Sequence, residues 1–134
     1  MKGAAELCRG LLRKAKSDRI AMEASLAAQA LDAACFHAQQ VAEKCLKAFL
    51  AHRGAAFPYT HNLTKLVEIG AGLDGTFRSL LPTVLPLTPY AVELRYDDSF
   101  WPSQQVAEEA RASALAVLRF VLDRLPADIR GSAE

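Results

Sequence analysis

From Gly3 to Arg53 the chain contains no proline and is dominated by Ala, Leu, Lys, Arg, Glu and Gln. These residues lose little on entering a helix, so helix fills the whole stretch. An unbroken rod of about 50 residues would reach about 75 Å, far too long for a compact domain of this size. A break is therefore expected near Gln29 to Asp32, although Ala, Gln and Leu there would continue either helix.

The apolar positions show which faces meet. Leu11, Ala15, Met22 and Leu26 recur at helical spacing, and Asp18 occupies the missing place in that stripe. A carboxylate thus points toward a partner helix. The next helix, expected from about Leu31 to Arg53, carries a narrow seam of Cys35, Ala38, Ala42, Cys45 and Phe49, flanked by Leu46 and Leu50. Small side chains in that seam let a neighbouring helix come close.

Further along, Gly54 suits a helix C-terminus and Pro58 lies in a loop. Thr60 or Asn62 can cap a short helix over Leu63 to Ile69 that ends at Gly70 or Gly72. In "LPTVLPLTPYAVELRY" only short turns fit before Thr88 and Pro89, which are placed to start a helix carrying Tyr90, Leu94, Arg95 and Tyr96. Ser103 caps the last long helix, with a core stripe of Val106, Ala110, Ala114, Val117, Val121 and Leu125. Leu115, Leu118 and Leu122 widen its apolar surface, as in a helix that is central or lies at an oligomer interface. No run alternates with period two for long enough to make a strand. The expected fold is all-α, an up-and-down bundle of about four to five helices forming one domain over residues 1–134.

Composition narrows the function. Lys plus Arg number 16 against 15 for Asp plus Glu, so any site for a polyanion has to be a local patch. The three cysteines, Cys8, Cys35 and Cys45, fall where the helical pattern places small apolar groups, which reads as buried reduced thiols in a cytoplasmic protein. No signal peptide, membrane span, phosphate-binding Gly-rich loop or metal-ligand pattern is evident, and no cofactor or metal is expected. Trp101 reads as a core or interface anchor, and Asp97 with Asp98 as a solvated turn.

The densest polar feature lies in "FHAQQVAEKCLKAFL". Gln40, Glu43, Lys44 and Lys47 stand within two turns beside the apolar seam. Glu43 and Lys47 form an i,i+4 pair, which on a solvated face contributes only a few tenths of a kcal/mol. Asp18 changes the weighing, because a buried carboxylate needs a cation or several donors. Lys44, Lys47 and Arg95 are the candidates to answer it.

"ACFHAQQVAEKCLKAFLAHRG", then "PYTHNL", then "LTPYAVELRY" resemble, in this order, the HEPN domain family, the higher eukaryotes and prokaryotes nucleotide-binding domain. The resemblance covers most of the chain. It implies a helical bundle that commonly forms homodimers, is often encoded beside or fused to a minimal nucleotidyltransferase, and includes toxin ribonucleases in several branches. Gln40, Glu43, Lys44 and Lys47 match the second-helix motif, His61 the loop histidine, and Arg95 with Tyr96 the arginine-tyrosine pair. On this basis Lys44, Lys47, Arg95, Tyr96 and His61 are expected to hold a nucleotide or RNA phosphate, supported by Asp18, Gln40 and Glu43.

The ribonuclease branches carry Arg, four to six residues, then His. Here Arg95 is followed by "YDDSFWPS", which lacks histidine, and Arg53 and His61 are separated by a Gly- and Pro-containing loop. The expectation is a non-catalytic protein that dimerises, pairs with a nucleotidyltransferase-type partner and offers a nucleotide or RNA site. The alternatives are a toxin ribonuclease and a purely structural helical interaction module.

Overall fold

In the computed structural model, which describes residues 2–134, the chain runs α1 (Ala4–Ala27), α2 (Leu31–His52), α3 (Leu63–Leu73), α4 (Leu81–Val84), α5 (Gln104–Leu122) and α6 (Ala127–Arg130). Short 3-10 turns fill Gly75–Leu80, Thr88–Tyr90 and Gly131–Ala133, and no strand occurs among the described residues. Four helices carry the bundle, with 24, 22, 11 and 19 residues in α1, α2, α3 and α5. α4 and α6 are single turns that close its ends.

The expected break between the first two helices is made without glycine or proline. Gln29 adopts φ 63°, its N–H donates to Leu26 O at 3.1 Å, and Ala30 N–H donates to Ser25 O at 2.9 Å. This is the paired hydrogen-bond closure of a helix C-terminus, with glutamine in the left-handed position normally held by glycine. The same closure ends α2, where Gly54 at φ 66° donates to Ala51 O and Ala55 to Leu50 O. There the expected glycine is in place.

α2 is the central helix. α1 lies along it as the other arm of a hairpin, and α5 packs on it as well, reaching α1 through the Arg111 to Glu23 ion pair. Its seam of Cys35, Ala38, Ala42, Cys45 and Phe49 is buried as expected. Burial raises the Cys8 and Cys35 thiols to about 11 and the Cys45 thiol to about 12, and all three cysteines are free. On α1 the buried stripe is Cys8, Leu12, Ala15, Asp18 and Met22, so Leu12 replaces the expected Leu11, which is only half-buried together with Leu26. On α5 it is Ala107, Ala110, Ala114, Val117 and Val121, with Ala107 in place of the half-buried Val106. Ser103 caps α5 as expected, its Oγ accepting from Val106 N–H at 3.2 Å.

Three expectations are corrected. α3 runs to Leu73, one residue beyond Gly72 and well past the other expected end at Gly70, which serves packing rather than termination: a Cβ there would stand 2.7 Å from Cδ2 of Phe77. Phe77 in turn packs on Phe49 and Phe120, with ring centroids 4.5 and 4.9 Å apart. The helix expected from Thr88 is only a 3-10 turn, followed by irregular turns through Tyr96. The Thr88 hydroxyl does not cap it, since Oγ1 accepts instead from the Leu63 N–H at the start of α3, at 3.2 Å. Trp101 is 74% exposed, which sets aside the core half of the role expected of it and leaves the interface half.

Two substitutions test these backbone readings. Gln29→Gly is expected to stabilise the fold by about 0.5–1 kcal/mol by relieving the left-handed residue. Gly70→Ala should destabilise it by about 1–3 kcal/mol despite alanine's better helix propensity, because the added methyl displaces Phe77. Urea midpoints of both variants against the parent decide each case.

Candidate functional site

The polar residues of α2 form an internal network reaching α1 on one side and the start of α3 on the other. Asp18 of α1 is buried against α2, where its Oδ1 accepts from His37 Nδ1 at 2.9 Å and its Oδ2 from the Lys44 ammonium. Lys44 is thus the cation among the three candidates that answers Asp18. His37, which the motif had not singled out, is the second partner.

Glu43 makes the deeper half. Its side chain is 5% exposed; Oε1 accepts from Gln39 Nε2 at 3.1 Å and from His61 Nδ1 at 2.8 Å, and Oε2 from Lys47 Nζ at 3.0 Å. Gln39 also donates to the backbone carbonyl of His61 at 3.1 Å, and its own Oε1 accepts from Gln40 Nε2 at 2.7 Å. The Glu43 to Lys47 pair is therefore no solvated surface bridge. Both ends are buried, where losing one partner costs far more than on a wet face.

Gln39 is the residue that sequence reasoning passed over in favour of Gln40. It is fully buried, and the signal for it was present: Gln39, Glu43, Leu46 and Leu50 lie on one stripe at four-three-four spacing, two polar members followed by two leucines. His37 is likewise one heptad before Lys44, on the face that meets Asp18.

Both imidazoles are held the same way. Each presents Nδ1–H to a carboxylate whose other oxygen holds a lysine, which orients the ring and turns Nε2 outward. The His61 side chain is 39% exposed, with the Tyr59 ring 5.8 Å away and Lys47 Nζ 5.5 Å from the same ring.

Arg95 stands outside the network but next to its His37 end, with Tyr96 beside it. The Arg95 guanidinium lies 4.2 Å over the Phe36 ring and 5.3 Å from that of Tyr96. Together with Asp32, His37, Tyr90 and Phe100, Arg95 and Phe36 line a cleft of about 340 Å³ near the start of α2. The residues expected to form one patch thus divide: Lys44 and Lys47 are each drawn onto a carboxylate with His61 beside Lys47, and Arg95 lines the aromatic cleft, with Tyr96 beside it but outside the cleft's lining. Arg53, the other arginine considered with His61, lies over the Phe49 ring at 5.7 Å. Among the described residues no cluster of three or more His, Cys, Asp or Glu is arranged to hold a metal ion.

The sequence model of the HEPN domain matches residues 8–125, most of the chain, from the first turns of α1 past the end of α5. The protein belongs to the HEPN domain family. Its fold is also that of a solved relative, the crystal structure of TT1696 from Thermus thermophilus, with a TM-score of 0.73 and 27% identity over 88% of this chain and 98% of that one. No functionally curated protein matches the chain significantly. Within the HEPN frame, the second-helix motif and the loop histidine meet at Glu43, which ties α2 to the entry of α3. No helix among the described residues is long and apolar enough to cross a membrane.

Removing that junction should be costly. Glu43→Ala is expected to destabilise the fold by about 3–5 kcal/mol, because it strands Lys47, His61 and Gln39 together. Gln40→Ala, which removes the donor of the Gln39 Oε1 alone, should cost less, about 1–3 kcal/mol. Denaturant unfolding of the two variants at neutral pH measures both.

Proposed function

We propose that this HEPN protein is a non-catalytic binding module that acts in the cytoplasm as a homodimer and pairs with a minimal nucleotidyltransferase-type protein. The observation that carries the reading is the internal neutralisation of the motif. Lys44 and Lys47 are held on Asp18 and Glu43, and His37 and His61 are held on the same two carboxylates. A lysine ammonium already bonded to a buried carboxylate is a poor phosphate ligand, so the motif serves architecture. The arginine-to-histidine spacing of the ribonuclease branches is missing from the sequence as well.

A nucleotide or RNA site is a second reading, and one observation favours it. Among the described residues Arg95 forms no ion pair, and it lines the 340 Å³ cleft with His37 and three aromatic rings, the groups that take a phosphate and a base. In this reading Arg95, with Tyr96 beside it, meets the phosphate, while Lys44, Lys47 and His61 stay bound to Asp18 and Glu43 in the network that holds α2 to its neighbours.

Light scattering, titration and an RNA incubation test both. The purified protein is expected to run as a dimer and to leave a short single-stranded RNA intact. Calorimetry with ATP should give binding that Arg95→Ala weakens by about tenfold if the cleft is a phosphate site, and no binding tighter than about millimolar if it is not. RNA cleavage that disappears in His61→Ala overturns the non-catalytic reading.

A further inference from the structure

The segment after the Thr88–Tyr90 turn carries large side chains that the bundle does not cover. Tyr96 is 77% exposed and Trp101 74%, on a stretch that also holds Asp97 and Asp98. Asp32, from the first turn of α2, joins them around a hollow of about 230 Å³. Its charged lining is three carboxylates against one guanidinium, that of Arg95.

The guanidinium does not neutralise the carboxylates. It is turned onto the Phe36 and Tyr96 rings, and none of Asp32, Asp97 and Asp98 is in an ion pair among the described residues. Asp97 Oδ1 accepts from Ser99 N–H at 2.9 Å, which shapes the turn and leaves its other oxygen free. Exposed Trp and Tyr beside unpaired carboxylates favour a cation twice over: the ring faces attract positive charge, and the carboxylates accept charge-assisted hydrogen bonds. The same carboxylates repel a chain of phosphates.

We propose that this surface docks a basic segment of a protein partner, with an Arg or Lys side chain laid against Trp101 and Tyr96 and its charged end at Asp97, Asp98 and Asp32. The proposal rests on the interaction-module reading and supplies the surface and the charge of the partner. Trp, Tyr and Arg are also the residues on which protein interfaces concentrate their binding energy.

Trp101 is the chain's single tryptophan, so its emission reports on this surface directly. The probe is a hexa-arginine peptide, with hexa-glutamate as the charge control. Saturable change in Trp101 emission is expected with the first and none with the second. Its apparent Kd should rise about tenfold in the Asp97→Asn/Asp98→Asn double variant and rise steeply between about 0.05 and about 0.5 M salt. Far-UV circular dichroism confirms that this surface variant is folded, and calorimetry on Trp101→Ala should show the same loss without the fluorophore. No saturable response to hexa-arginine, or an equal response in the double variant, overturns the proposal. Light scattering separates this from the broader reading. A dimer that persists in the double variant while the parent gives no peptide response sinks only the docking surface, and a monomeric parent that binds ATP but no peptide sinks the interaction reading too. A dimer that dissociates in the double variant makes the occupant a second copy of this chain and also overturns the proposal.

Discussion

A carboxylate inside a helix bundle must be answered within hydrogen-bond reach, and the arrangement around Glu43 follows from that requirement. Three donors would overfill one oxygen, so they divide: Gln39 and His61 take Oε1 and Lys47 takes Oε2. Because His61 precedes α3 and Gln39 also holds the His61 carbonyl, neutralising the charge fixes where the loop after α2 re-enters the bundle. Asp18 performs the same service between α1 and α2. Gln40 extends the Glu43 centre through Gln39, so the three helices are set by polar contacts that all converge on α2, beside an otherwise small and apolar seam.

Much of the fold was legible because its determinants are local. Ser103 and Asn62 cap the helices expected of them, Gly54 takes the left-handed position after α2, and the seam from Cys35 to Phe49 is buried throughout. Two of the misreadings share one cause, a group engaged by a partner outside its own helix or turn. The Thr88 hydroxyl belongs to α3, and Gly70 makes room for Phe77 where a helix end was expected. Periodicity was also off by one position on α1 and α5, where adjacent apolar residues such as Leu11 and Leu12 left two stripes open.

The polar cluster was legible as a set of residues and illegible as a set of pairs. Helical spacing placed Glu43 and Lys47 side by side, and it placed Asp18 toward a neighbour. Which cation answers Asp18 depends on how α1 lies against α2, and periodicity carries no such information. Arg95 left the set for a related reason: the helix meant to present it is replaced by turns that swing its guanidinium over Phe36. Membership of the HEPN family and the likeness to TT1696 are consistent with the shared scaffold, which the α1 and α2 hairpin with α5 across it provides.

The hairpin closed at Gln29 has a bearing on the order of folding. α1 and α2 share the broadest contact in the molecule and are joined by a tight connection, so their pairing closes a very short loop. α5 reaches α2 only after the long, proline-bearing segment between them has been gathered in, which makes its docking the slower, higher-entropy event. The chain can thus assemble its polar Asp18 centre early, within one helical hairpin, whereas the Phe49, Phe77 and Phe120 cluster waits for three separate helical segments to meet.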